Sequence, residues 1–154
     1  MTGRILAVRF LCLAGMAAWA GGFAFYGAAV VPVLHENLER LQAGEITRRV
    51  TDTLNIVGAA TVAVWWIAAV VESGTGAARA RRTRLALLGA ISALLLAQVG
   101  LHRIMDGRLD EGHLRAFYPL HRADLILSTV QWFLNMGLLA VSALLWGGGR
   151  DNHS

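Results

Sequence analysis

The chain has 154 residues, 56% hydrophobic and 16% charged, with fourteen basic residues against ten acidic ones for a formal charge of +4. A soluble domain carries about 25% charged residues, so this composition excludes a soluble enzyme, a nucleic-acid module and a disordered chain. The basic residues are all arginine, and the single cysteine, Cys12, excludes an internal disulfide and a cysteine-based zinc finger.

What remains is one small polytopic membrane domain over residues 1–154, and the elements follow in order. About 20 mostly apolar residues are needed to cross a bilayer as a helix, and the first such run, residues 10–34, lies between Arg9 and His35. Arg4, Arg9 and the triplet Ala18-Trp19-Ala20 imitate a cleavable signal peptide, but the apolar run continues to Leu34, which predicts an uncleaved span. Small residues at Ala14, Ala18 and Gly22, and at Ala17 and Gly21, suit close helix approach. Cys12 reads as a small apolar side chain, and Pro32 is expected to kink or finish the helix. The charged connection from Glu36 to Asp52 contains Leu38, Leu41, Ile46 and Val50, which predicts a short surface helix or an upward extension of the next span.

The second span, residues 53–71, is led in by Thr47, Thr51, Asn55 and Gly58 on one face. The following loop concentrates Arg79, Arg81, Arg82 and Arg84 against Glu72. Together with Arg4 and Arg9, this cluster predicts both termini inside, in a bacterial inner membrane. The same arginines are candidates for anionic lipid headgroups, or serve as a topology signal alone. The third span, residues 85–105, carries Gly89, Ala93 and Ala97, and ends with Gln98, His102 and Asp106 at steps of four. The fourth, residues 121–146, carries His121, Asp124, Ser128, Gln131, Asn135 and Ser142 at steps of three, four, three, four and seven, one face of a helix in a tight seam. Residues 147–154 read as a short tail. Trp146 suits an interfacial anchor; Trp19, Trp65, Trp66 and Trp132 read as packing residues.

Short connections make consecutive spans antiparallel neighbours, so the predicted fold is all-α, an integral membrane up-down four-helix bundle. That topology collects His35, His102, His113 and His121 at the outer end of the bundle. Polar groups in lipid are costly and normally face the bundle interior. His102 and His121 are therefore candidate metal ligands or proton carriers, with Asp106 and Asp124 one turn away to orient them. Tyr26, Asn55, Gln98, Ser128 and Gln131 complete an outward-facing polar pocket for a metal ion or small ligand. Two rival readings stand beside it: the histidine pair as axial haem ligands or a quinone site, and a purely structural or accessory subunit whose polar side chains only hydrogen-bond helices together and which packs on a membrane-protein partner. Conduction is disfavoured because the stripe does not cross the membrane. No phosphate-binding loop, Ser–His–Asp set or metalloprotease motif occurs, so an enzyme is not indicated, nor is a nucleic-acid partner.

Several stretches carry a family likeness: Phe25-Tyr26-Gly27 with Val30-Val31-Pro32-Val33; Ile46-Thr47-Arg48-Arg49-Val50-Thr51 running into Leu54-Asn55 and Gly58; Leu101-His102 with Met105-Asp106; Phe117-Tyr118 with His121; and Ser128-Thr129-Val130-Gln131-Trp132. Together they resemble a group of uncharacterised bacterial four-helix membrane proteins, over nearly the whole chain. The pattern is also similar, at fold level only, to the bundle domains grouped near copper-resistance D proteins. The first resemblance implies a four-helix membrane fold and transfers no activity. The second favours a metal slightly, although the chain lacks a methionine-rich copper motif, and fold alone does not give function.

Overall fold

A computed structural model describes residues 3–72, 78–110 and 114–147, without the side chains of residues 40, 41, 106, 108–110 and 114–118. Four helices account for nearly all of it: α1 (Gly3–Asn37), α2 (Arg40–Val71), α3 (Ala78–Asp110) and α4 (Leu114–Gly147). All four are long and apolar enough to cross a membrane, and no strand occurs among the described residues. The chain is thus an all-α, multi-pass membrane protein, consistent with an up-down four-helix bundle. At 1.5 Å per residue, helices of 32 to 35 residues reach about 50 Å, well beyond a hydrocarbon core of about 30 Å. Each therefore extends past the apolar layer with its charged end. On α2 that end is the predicted upward extension of the second span, and not a separate surface helix. It is supported by an exposed Glu45–Arg49 pair at 2.7 Å, one turn apart.

The chain divides into two compact units, Met1–Ser73 and Gly74–Ser154. The first is an antiparallel hairpin of α1 and α2. Cys12 lies against the Val64 carbonyl, Gly15 against Thr61, Trp19 against Gly58, and Gly22 against Leu54. One helix descends as the other rises, in steps of three and four. At the open end Arg9 Nε donates to Glu72 Oε1 at 2.6 Å, with side chains 15% and 4% exposed.

Of the small-residue stripes of α1, only Gly22 takes part in this contact. Ala14, Ala17, Ala18 and Gly21 are exposed, while Cys12, Met16, Trp19, Ala20 and Tyr26 are buried. The reason lies in the backbone. α1 widens into π-helical turns at Ala17–Gly21 and Tyr26–Val30, and each such turn rotates the buried face relative to a regular helix. The second ends just before Pro32, whose missing N–H and bulky ring disrupt a regular helix one turn upstream. Pro32 thus neither stops the helix nor ends the span; α1 continues to Asn37. The first π turn places the flat Trp19 ring on the bare backbone at Gly58.

The second unit pairs α3 with α4. Buried positions on α3 are Arg84, Leu88, Ile91, Leu95, Gln98 and Met105; on α4 they are Asp124, Ser128, Gln131, Asn135, Leu138 and Ser142. Both series step by three and four, with half-buried His102 dividing the seven residues from Gln98 to Met105, the repeat of left-handed helix pairing. Ala93 and Ala97, expected as a close-approach face, are exposed. The large apolar side chains turned outward, among them Leu96, Ile126, Phe133 and Leu144, suit a surface bathed in lipid tails.

Candidate functional site

The α3–α4 seam carries most of the polar side chains singled out in the sequence, and its antiparallel register decides which of them meet. Gln98 Nε2 donates to Ser128 Oγ at 2.8 Å, and both residues are buried. One turn beyond, toward the α3–α4 connection, Asp124 is 8% exposed and interacts electrostatically with both His102 and His121. His121 stands one turn earlier on the same helix, and His102 is level with Asp124 across the seam in the register set by the Gln98–Ser128 bond. Both rings are half-buried, and His102 Nδ1 is buried with no hydrogen bond among the described residues. Chemically, a buried carboxyl with imidazoles at the same end of a seam can hold a proton, orient a ring, or bind a cationic or hydrogen-bonding group.

On the far side of the Gln98–Ser128 bond, Gln131 and Asn135 follow on consecutive turns of α4, each 3% exposed. In that register Gln131 is level with Leu95, and Asn135 with Ile91. The seam therefore changes from polar on both helices to polar on one. Beyond it Leu88, Ile91 and Leu138 are fully buried, and they separate the polar stretch from Ser142.

Asp106, expected beside His102, is on α3 with its side chain outside the described residues, and His113 lies outside them altogether. Among the described residues, no group of three or more His, Cys, Asp or Glu side chains is placed to hold a metal ion. Asn55 and Tyr26 belong to the first unit. Asn55 is half-buried, just before Gly58, and Tyr26 is buried with its hydroxyl lacking a hydrogen bond among the described residues. Thr47 and Thr51 spend their hydroxyls on their own helix, on the carbonyls of Ala43 and Thr47 at 2.8 and 2.9 Å.

Of the arginine cluster, Arg79, Arg81 and Arg82 are exposed, but Arg84 is only 4% exposed. It sits on the inward repeat of α3, its guanidinium 5.9 Å from the centre of the Trp146 ring, a cation–π contact. Arg84 is therefore part of the hairpin and not a headgroup contact, and Trp146 has a packing role as well. The Arg9–Glu72 pair was not singled out from the sequence. Its signal was available: opposite charges flank two consecutive antiparallel spans at the same end.

The family described as "Domain of unknown function (DUF4149)" matches residues 14–113, about two thirds of the chain, and the protein belongs to it. No curated protein and no solved structure matches the chain. The match includes Tyr26, Asn55, Gln98 and His102, and stops before His121 and Asp124.

Proposed function

We propose that this DUF4149 protein is a non-enzymatic membrane module that binds a small polar or ionisable ligand at the head of the α3–α4 seam. Asp124 is the centre, His102 and His121 are its contact residues, and the Gln98–Ser128 pair forms the floor. The observation that carries the reading is the buried Asp124 carboxyl on α4, with His102 level with it on α3 and His121 one turn away at the same end of the seam. Intramembrane ionisable groups are expensive and are functional candidates by default. Here three are gathered at one end of a hairpin whose remaining seam needs none of them for packing. The reading rests on α3 and α4 alone; Asn55 and Tyr26 carry no part of it.

In the same reading the protein lies in a bacterial inner membrane with both termini inside, and exposed Arg79, Arg81 and Arg82 face anionic headgroups. A structural role is the competing reading, and the direct Gln98–Ser128 bond favours it, since such bonds tie membrane helices together without binding anything. Native mass spectrometry with elemental analysis, on wild type and His102→Ala/His121→Ala purified in parallel from membranes, separates the two. The proposal predicts a bound species retained by wild type and lost from the variant. A metal or a haem spectrum would identify the ligand class. Identical spectra with only a change in stability would overturn the proposal and leave the structural reading.

A further inference from the structure

We propose that Gln131 and Asn135 form a second, deeper site that takes a neutral hydroxyl group. It is independent of the Asp124 centre and stands or falls separately. Both amides are 3% exposed, and neither Gln131 Nε2 nor Asn135 Oδ1 has a hydrogen-bond partner among the described residues. α3 does not supply one. The register fixed by the Gln98–Ser128 bond sets Leu95 and Ile91 opposite, and neither has a polar side-chain atom. A bare amide in hydrocarbon costs several kcal/mol. Two on consecutive turns mark a place where α3 and α4 do not complete their own hydrogen bonding.

The chemistry of the two atoms selects the ligand. Gln131 Nε2 is a donor and Asn135 Oδ1 an acceptor. Residues four apart on a helix stand about 5–6 Å apart at Cβ, and two hydrogen bonds of about 2.9 Å meeting at one oxygen cover that span. The oxygen must accept from Gln131 and donate to Asn135, and a hydroxyl does both. A carbonyl or ether has no proton to donate, and an ammonium has no lone pair to accept. A charged group would sit about 10 Å along α4 from Asp124, at 1.5 Å per residue, beside Leu95, Ile91 and Leu138, with the buried Arg84 two turns of α3 beyond Ile91, so neither charge of this seam adjoins it. Two sources present a neutral hydroxyl: water, and an apolar alcohol whose hydrocarbon lies along those leucine and isoleucine side chains.

The test uses the full chain in nanodiscs, with glutamine side chains labelled with nitrogen-15. The proposal predicts a through-space cross-peak between the Gln131 amide protons and a hydroxyl proton. A cross-peak at the water frequency assigns water. A cross-peak at another frequency, together with an alcohol in the lipid extract that is missing from Gln131→Leu/Asn135→Leu, assigns the organic source. Asn135→Leu removes one of the two hydrogen bonds and abolishes the cross-peak, while Leu139→Ala, on the same helix, preserves it. The wild-type spectrum decides alone, so a variant that fails to fold does not obscure the result. A Gln131 amide with no hydroxyl neighbour, or one whose only contact is another protein side chain, overturns the proposal.

Discussion

Replacing Gly58 by alanine tests the packing of the first hairpin at its tightest point. A Cβ at Gly58 would lie 2.6 Å from Trp19 Nε1 and 2.7 Å from Cζ2, and closer still to Cε2. Carbon atoms rest at about 3.5–4.0 Å, so the indole must retreat by about 1 Å, and a rigid two-ring system has no flexible end to swing aside. Overpacking of this kind costs about 1–3 kcal/mol. The substitution also gains up to about 1 kcal/mol of helix propensity, so a control is needed. Gly100 is exposed, in mid-helix on α3, with nothing within 4 Å of its Cβ position, so Gly100→Ala gains propensity without the clash. The difference between the two variants, about 1–3 kcal/mol by that overpacking range, isolates the contact. Trp19→Phe removes the offending atoms, so Gly58→Ala should cost at least about 1 kcal/mol less in that background, a coupling typical of residues in contact. Reversible unfolding in mixed micelles gives all four stabilities. Equal effects at Gly58 and Gly100, or strict additivity with Trp19→Phe, would refute the reasoning.

Three further outcomes are expected from the same assay. Arg9→Gln or Glu72→Gln should destabilise the first hairpin by up to about 3 kcal/mol, because each leaves a mostly buried charge unpaired, and exchanging the two residues should recover part of the loss. Gln98→Leu and Ser128→Ala should each cost about 0.6 kcal/mol, at most about 1.7, and should be non-additive in a double-mutant cycle. Arg84→Gln should cost about 0.5–2 kcal/mol through the lost contact with Trp146, whereas Arg82→Gln, on the exposed side, should leave stability within about 0.5 kcal/mol of wild type.

The second hairpin was the more legible of the two in the sequence. The steps of three and four from His121 to Ser142 mark the inward face of α4, with Leu138 filling the one missing step, and the structure buries every member from Asp124 onward. Gln98 and His102 on α3 were equally visible, because polar residues interrupt apolar runs where a neighbour can receive them. The first hairpin was harder to read. Two π turns shift the inward face of α1, so a regular period laid on its small residues points to Ala14 and Ala18, which the structure exposes. Pro32 signals the second π turn, but Ala17–Gly21 contains no residue that announces the first. Span ends drawn at charged residues also misplaced Arg84, which reads as loop by composition and as seam by its step of four to Leu88. A charge at a helix end can turn inward when an aromatic ring such as Trp146 receives it.

A ligand site at the head of this seam requires Asp124 to lie between His102 and His121 in the membrane. Dipolar recoupling between the Asp124 carboxyl carbon and the imidazole nitrogens, on selectively labelled protein in bilayers, measures this directly. Both histidines should be dephased by Asp124, and His102 should lose the effect in Asp124→Asn unlabelled at that position. Dephasing of His121 alone would show only the expected neighbour one turn away, and would contradict a site built across two helices.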